Sequence, residues 1–301
     1  MGARADTAAG PWLSIILIVR HPAETPDAVL AALAAEPRIA EVEVLLVDGR
    51  PDAATASDRT GVATLLRPGL NMPRLKAEGA AVARGRALAF LEPKAVPMPG
   101  WISAALAALG RYPGAALSGS VTSASGSAAD RAAQIFEYAA FRPEVIARGA
   151  TRDLSGNNMI LPAGSLRQFC GDILAAEGLN KPFCQKRLQE NGTELVMVPE
   201  MQVRMQTRYR LGGLLASRYR YARCFGGTRA ALATAAQRRR YRLGAPAVPA
   251  LLIARHMRSA CRDGWPGLGT LGALAALCLA WSAGEAVGSW AGTGRACDAL
   301  F

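Results

Sequence analysis

Histidine is nearly missing: His21 and His256 are the two in 301 residues, which excludes a His-rich metal cluster. The six cysteines, Cys170, Cys184, Cys224, Cys261, Cys278 and Cys297, have no metal-ligand spacing. That argues against a zinc site or a disulfide framework and reads as reduced, half-buried thiols on the cytosolic side of a membrane. Acids and lysines are scarce in the last third. From Arg204 onward there are fifteen arginines, no lysine and three acids, Asp263, Glu285 and Asp298, so the whole excess of +12 sits there and the preceding part is neutral. A secretory leader is not expected. Residues 1–11 read as a small, polar, flexible N-terminus, and the apolar run that follows is too short for a leader core. Global disorder is excluded by an apolar fraction of 51%.

A concentrated positive charge attracts either nucleic-acid phosphate or anionic lipid. Its neighbourhood decides between them. Residues 264–284 form a run of 21 without a charge, close to the roughly 20 needed to cross a bilayer as a helix. Nucleic-acid binding accounts for the arginines but not for this run; an anionic membrane accounts for both, so no nucleic-acid partner is expected. A buried amphipathic hairpin with a solvated arginine face is the alternative.

Along the chain, LSIILIV at Leu13–Val19 is a continuous aliphatic run typical of a strand covered on both faces. A helix over 28–35 and a strand over 42–47 complete a parallel βαβ unit. In such sheets ligands bind beyond the carboxyl ends of the strands, where Arg20, His21 and Asp48 fall. Further strands are expected at 63–66, 88–91, 159–161 and 195–198, and helices at 73–84, 101–109, 132–141, from 164, and at 182–191. Residues 118–130, rich in Ser, Gly and Ala, read as a loop. The expected domains are 12–203 and a basic, apolar helical region over 204–301. In the latter, 208–223 reads as an interface-seeking Arg/Tyr helix and 243–254 as an interfacial or re-entrant element, because 12 apolar residues cannot span.

The most specific stretch is LKAEGAAVARGRALAFLEPKAVPMPGW, residues 75–101. With LSIILIVRHPAE at 13–24 and the turn Val47-Asp48-Gly49-Arg50-Pro51-Asp52, it resembles the inverting family 2 glycosyltransferases of the GT-A fold. Gly79, Ala83, Arg84, Gly85, Phe90, Leu91, Pro97, Pro99, Gly100 and Trp101 fall in register with the family pattern. The resemblance spans about two thirds of the chain. It implies an α/β nucleotide-diphospho-sugar transferase fold, a mostly parallel sheet flanked by helices, here followed by membrane-associating C-terminal helices.

What the resemblance implies for chemistry follows residue by residue. Val19, Arg20, Glu24, Asp48, Lys76 and Glu92 fall at nucleotide-binding positions. Asn157, Asn158, Asn180 and Lys181 fall on the acceptor side. The partners implied are a UDP- or GDP-linked sugar, a glycolipid or polysaccharide acceptor and anionic lipid, at the cytosolic face of an inner or cytoplasmic membrane. Family members hold Mg²⁺ or Mn²⁺ on paired carboxylates to neutralise the leaving diphosphate, but here the pair is Glu92 and Lys94, and only Glu92 is a ligand type. Either Lys94 supplies the missing charge itself or the site has decayed and Lys94 points to solvent. The general base is also altered, because Asn180 and Lys181 occupy its positions. Asp172, Glu177 and Asp153 are the nearby carboxylates that could replace it. Two readings therefore stand: an active transferase, metal-poor or metal-independent, with Mg²⁺ or Mn²⁺ still open as cofactor, or an inactive accessory protein that binds a nucleotide, a glycolipid or a partner transferase.

Overall fold

The computed structural model describes residues 10–51, 61–123, 126–262 and 264–299. Asp52 and Asp263, both noted above, lie outside the described residues. The chain divides into two compact units, Met1–Thr122 with Phe141–Met205, and Ser123–Ala140 with Gln206–Phe301.

The first unit opens as the sequence pattern requires. β1 (Leu13–Val19), α1 (Asp27–Ala34), β2 (Glu43–Asp48), β3 (Ala63–Leu66), α2 (Met72–Val82) and β4 (Ala87–Leu91) follow in order. β1 pairs in parallel with both β2 and β4, and β2 with β3. All seven residues of β1 are buried, because helices cover both faces of a parallel sheet. β5 (Ala95–Pro97), α3 (Trp101–Arg111) and β6 (Ala116–Ser123) come next. After α4 (Ala128–Tyr138), which belongs to the second unit, the chain returns through β7 (Gly149–Ala150), β8 (Asn158–Pro162), α5 (Ala163–Glu177), α6 (Lys181–Glu190) and β9 (Leu195–Met205).

Among the described residues the nine strands form one sheet in the order β3-β2-β1-β4-β8-β6-β9-β5, with β7 on β9. β8 runs antiparallel to β4 and β6, and β9 to β5 and β7. The sheet is therefore mixed rather than mostly parallel. No single crossover helix joins β4 to β8, so nothing imposes the parallel direction of a βαβ unit there. The expected loop over 118–130 is also corrected, since its first half is β6. Its small residues fit a crowded sheet centre: a Cβ on Gly119 would lie 1.8 Å from the Met201 carbonyl oxygen. Ser120 Oγ donates to the Pro199 carbonyl at 2.8 Å. Serines that find acceptors inside a sheet look, in sequence, like loop residues.

The second unit is helical: α4, α7 (Leu211–Leu232), α8 (Ala235–Gly244), α9 (Val248–Cys261) and α10 (Leu268–Ala291). α7 starts later and runs longer than the expected 208–223. Part of the segment read as re-entrant is the first half of α9, where Pro249 sits in the first turn and breaks no hydrogen bond. The core joins Ala132 and Ala133 of α4, Leu214 of α7, Ala260 of α9, and Ala273, Leu274 and Leu277 of α10. α7 and α10 approach backbone to backbone. A Cβ on Gly284 would lie 2.2 Å from the Tyr219 carbonyl oxygen, and one on Gly288 2.2 Å from that of Arg223. This is the close packing that a G-x-x-x-G spacing permits. Cys224 and Cys297 form a disulfide, so the reading of all six cysteines as reduced is corrected. The pairing joins α7 to the segment after α10, residues 73 positions apart, which no local spacing reveals. α10 is long and apolar enough to cross a membrane.

Candidate active site

The sheet end that should carry ligands is built from β1, β2 and β4, and the turns that follow them carry most of the expected nucleotide-side residues. After β1, Glu24 accepts from the backbone amides of Arg20 (3.2 Å) and His21 (3.1 Å), which curls the chain beyond the buried Val19. Arg20 Nε donates to the Leu70 carbonyl at 3.1 Å. At the end of β2 the buried Asp48 is gripped by Arg50, whose NH2 lies 2.6 Å from Oδ2 and whose Nε lies 3.0 Å from Oδ1. Arg50 stands two residues after Asp48 in the sequence, but its hold on the carboxylate is visible only in three dimensions.

After β4 comes the segment that the resemblance aligns with a metal motif. Glu92 lies between two ammonium groups: Lys94 Nζ is 3.4 Å from Oε2, and Lys76 Nζ from α2 is 3.5 Å from Oε1. The Glu92 side chain is 16% exposed. Burial pushes its carboxyl upward, but Lys94 and Lys76 outweigh this and hold it below its ordinary value. Lys76 Nζ also donates to the Gly156 carbonyl at 3.3 Å. Lys94 is thus turned toward Glu92 and not away from it. Two cations and one carboxylate leave a net positive charge at the end of β4.

As arranged, Glu92 is a poor partner for a divalent cation, because both of its oxygens face ammonium groups. A metal here would have to displace two lysines and compete with their charge.

The acceptor-side residues separate into two sets. Gly156 adjoins Lys181: a Cβ on Gly156 would lie 3.9 Å from Lys181 Cδ. Lys181 Nζ in turn donates to Asp153 Oδ1 at 2.6 Å and to the Leu154 carbonyl at 2.8 Å. Gly156 thus lies near both Lys76 and Lys181, which brings Asp153 into the neighbourhood of Glu92, 61 positions away in the sequence. Asp153 is 55% exposed. Asn157 is buried, accepting from Ser155 Oγ at 2.7 Å and donating to Met205 Sδ at 3.1 Å. Asn158 is spent inside the sheet: it accepts from Trp101 Nε1 at 3.0 Å and donates to the carbonyls of Ser120 and Met201. Asn180 is the residue before α6, and its carbonyl accepts from Phe183 and Cys184. Asp172 pairs with Arg187 on the exposed side of α5, and Glu177 is the last residue of that helix.

The residues of 75–101 that carried the resemblance turn out to be scaffold. Arg84 binds Glu43 through its backbone amide (2.9 Å) and Nε (2.7 Å), and the Gly85 amide donates to Ser14 Oγ at 2.8 Å. Ser14 Oγ donates to the same Glu43 at 2.5 Å. The Ala-Arg-Gly triplet is thus the knot that ties the end of α2 to β1 and β2. Gly100, at φ +88°, precedes α3 in a left-handed conformation, and Trp101 is fully buried.

The described strands form a mixed sheet flanked by helices, entered through the parallel β1, β2 and β4, with an apolar C-terminal helix in the same chain. No protein-family model matches the sequence, and no curated protein aligns with it. Among solved structures it is similar to S. aureus TarS 1–349, at 11% identity and TM-score 0.47 over 71% of this chain and 64% of that one. It is similar also to mannosyltransferase PcManGT from Pyrobaculum calidifontis, solved with GDP-Man and Mn²⁺. There the identity is 16% and the TM-score 0.48, over 94% of this chain and 75% of that one. A third is GalNAc-T7, solved with UDP, GalNAc and Mn²⁺, at 12% identity and TM-score 0.49 over 68% of this chain. The chain spans 64% of the length of the first of these and 45% of the third.

Proposed function

We propose that the first unit transfers a sugar from a UDP- or GDP-linked donor to a lipid-linked or polysaccharide acceptor at a membrane face, in the inverting manner of family 2. The observation that carries this reading is the cation pair at the end of β4. Lys94 and Lys76 converge on Glu92 where the leaving diphosphate would lie. Fixed positive charge in a partly dry crevice stabilises a leaving anion without reorganisation at the moment of reaction. Asp153 is the carboxylate best connected to this cluster, and it is the residue we assign as base. It would take the proton of the acceptor hydroxyl as that oxygen attacks the anomeric carbon and the nucleoside diphosphate departs. Lys181 Nζ lies 2.6 Å from Asp153 Oδ1 and holds the carboxylate in place.

Titration of UDP and GDP with and without Mn²⁺ tests the reading. Metal-independent binding lost in Lys94→Ala supports it, and metal-enhanced binding counts against the lysine role. A second reading, a non-catalytic member that holds a nucleotide, glycolipid or partner transferase, is favoured by one observation: Asp153 and Asp172 are each engaged by a cation. Nucleotide binding without turnover, unchanged in Asp153→Asn, would select it.

A further inference from the structure

One face of α10 is exposed along its length, with only the Trp290 ring covered on one side by Arg242 of α8. Leu268, Gly272, Leu279, Ala283 and Trp290 are exposed, and their spacings of 4, 7, 4 and 7 place them along one stripe of a helix. Leu268, Leu279 and Trp290 are each more than half exposed, as is Trp265 just before the helix. The stripe is bounded by a tryptophan at either end. On α9, Leu251 and Ala254 are exposed, and Arg255, Arg258 and Arg262 follow on the same face. No acid occurs between Leu243 and Arg262. An apolar stripe, terminal tryptophans and an acid-free basic flank together match the chemistry of an anionic lipid surface.

The opposite face of α10 argues against a simple crossing. It is joined to α7 at Gly284 and Gly288, and Glu285 pairs with Arg229 of α7 at 2.8 Å. Arg242 Nε donates to the Ser289 carbonyl at 3.0 Å. α7 also carries Arg218, paired with Glu137 of α4, and Arg223. A crossing α10 would draw these charges toward hydrocarbon, where each is strongly unfavourable. Binding in the plane of the interface needs only the stripe to enter the lipid and leaves the ion pairs above it.

We infer that the second unit docks in the plane of an anionic bilayer through the exposed stripe of α10 and the exposed basic face of α9, and that α10 does not span. This rests on the membrane-face reading above and specifies its geometry. The full chain should co-sediment with vesicles containing phosphatidylglycerol and not with phosphatidylcholine alone. Leu279→Glu, with unchanged circular dichroism, should lower partition at least tenfold. Removing Arg255, Arg258 and Arg262 should lower it about fivefold per arginine. Two exposed probes locate the ends of α10: native Cys261 before it, and Ala291→Cys, at its last residue, in a Cys261→Ser background. A membrane-impermeant maleimide added outside vesicles should label both. Protection of either one overturns the inference in favour of a spanning helix. Failure to bind anionic vesicles, with or without a doubled mass in solution, overturns it as well, and the doubled mass would assign the stripe to a second copy of the chain. UDP titration of the same samples separates this from the transferase reading, since nucleotide binding retained without vesicle binding sinks the docking surface alone.

Discussion

Lys76 reaches across from α2 to place its Nζ 3.5 Å from Glu92 Oε1, on the side of the carboxylate opposite Lys94. Glu92 thus tempers a positive site and does not offer itself as a ligand. Glu92→Gln should therefore tighten UDP binding, on the order of fivefold, by removing one negative charge near the diphosphate. Calorimetric titration would show this. A carboxylate acting as a metal ligand would give the opposite result, weaker binding that worsens in the presence of Mn²⁺.

Glu43 provides a pH test of the scaffold. Burial raises its carboxyl, but the hydrogen bonds from Ser14 and Arg84 prevail and hold it below its ordinary value. A carboxyl with a folded-state value below its unfolded one stabilises the fold above the unfolded value and loses that contribution as pH falls through the folded one. Wild type should exceed Glu43→Gln in urea midpoint near neutrality. The gap should close as pH drops below about 4.5, the ordinary value for glutamate.

Glu36 caps α3 from a distance, accepting from the amides of Gly100 at 2.6 Å and Ile102 at 3.2 Å. It combines a capping acceptor with a negative charge at a helix N-terminus. Glu36→Ala should cost about 1–2 kcal/mol, read as a lower melting temperature without loss of secondary structure.

Gly119 has a Cβ position 1.8 Å from a backbone oxygen of β9. Gly119→Ala should destabilise the first unit by more than about 3 kcal/mol, because backbone cannot yield as a side-chain end can. Poor recovery of soluble protein and a lowered urea midpoint are the expected outcome. Gly110→Ala is the control, since nothing lies near its Cβ position.

The Cys224–Cys297 disulfide closes a loop of 73 positions. Reduction should lower the stability of the second unit by about 4 kcal/mol on the chain-entropy account. The transition of the helical unit should move to lower temperature in reductant, and Cys224→Ser should reproduce the shift.

The sequence alone determined the parallel entry of the sheet, since the aliphatic runs at β1 and β2 and the segment 75–101 carry their signals locally. Burial on both faces requires continuous apolar residues, and Gly100 takes a left-handed conformation that side chains rarely adopt. It misread β6, whose serines and Gly119 resemble a loop until β8 and β9 supply the acceptors and the crowding. The candidate site was legible as residue types but not as an arrangement. Glu92 and Lys94 announced an altered metal motif, whereas the approach of Lys76, the Arg50 grip on Asp48 and the link from Gly156 through Lys181 to Asp153 needed the fold. The disulfide and the pairing of Glu285 with Arg229 were equally hidden, because partners so far apart in the chain are selected by packing. Local patterns of burial and backbone geometry are written in adjacent residues; which charges meet is decided only when the tertiary structure brings distant segments together.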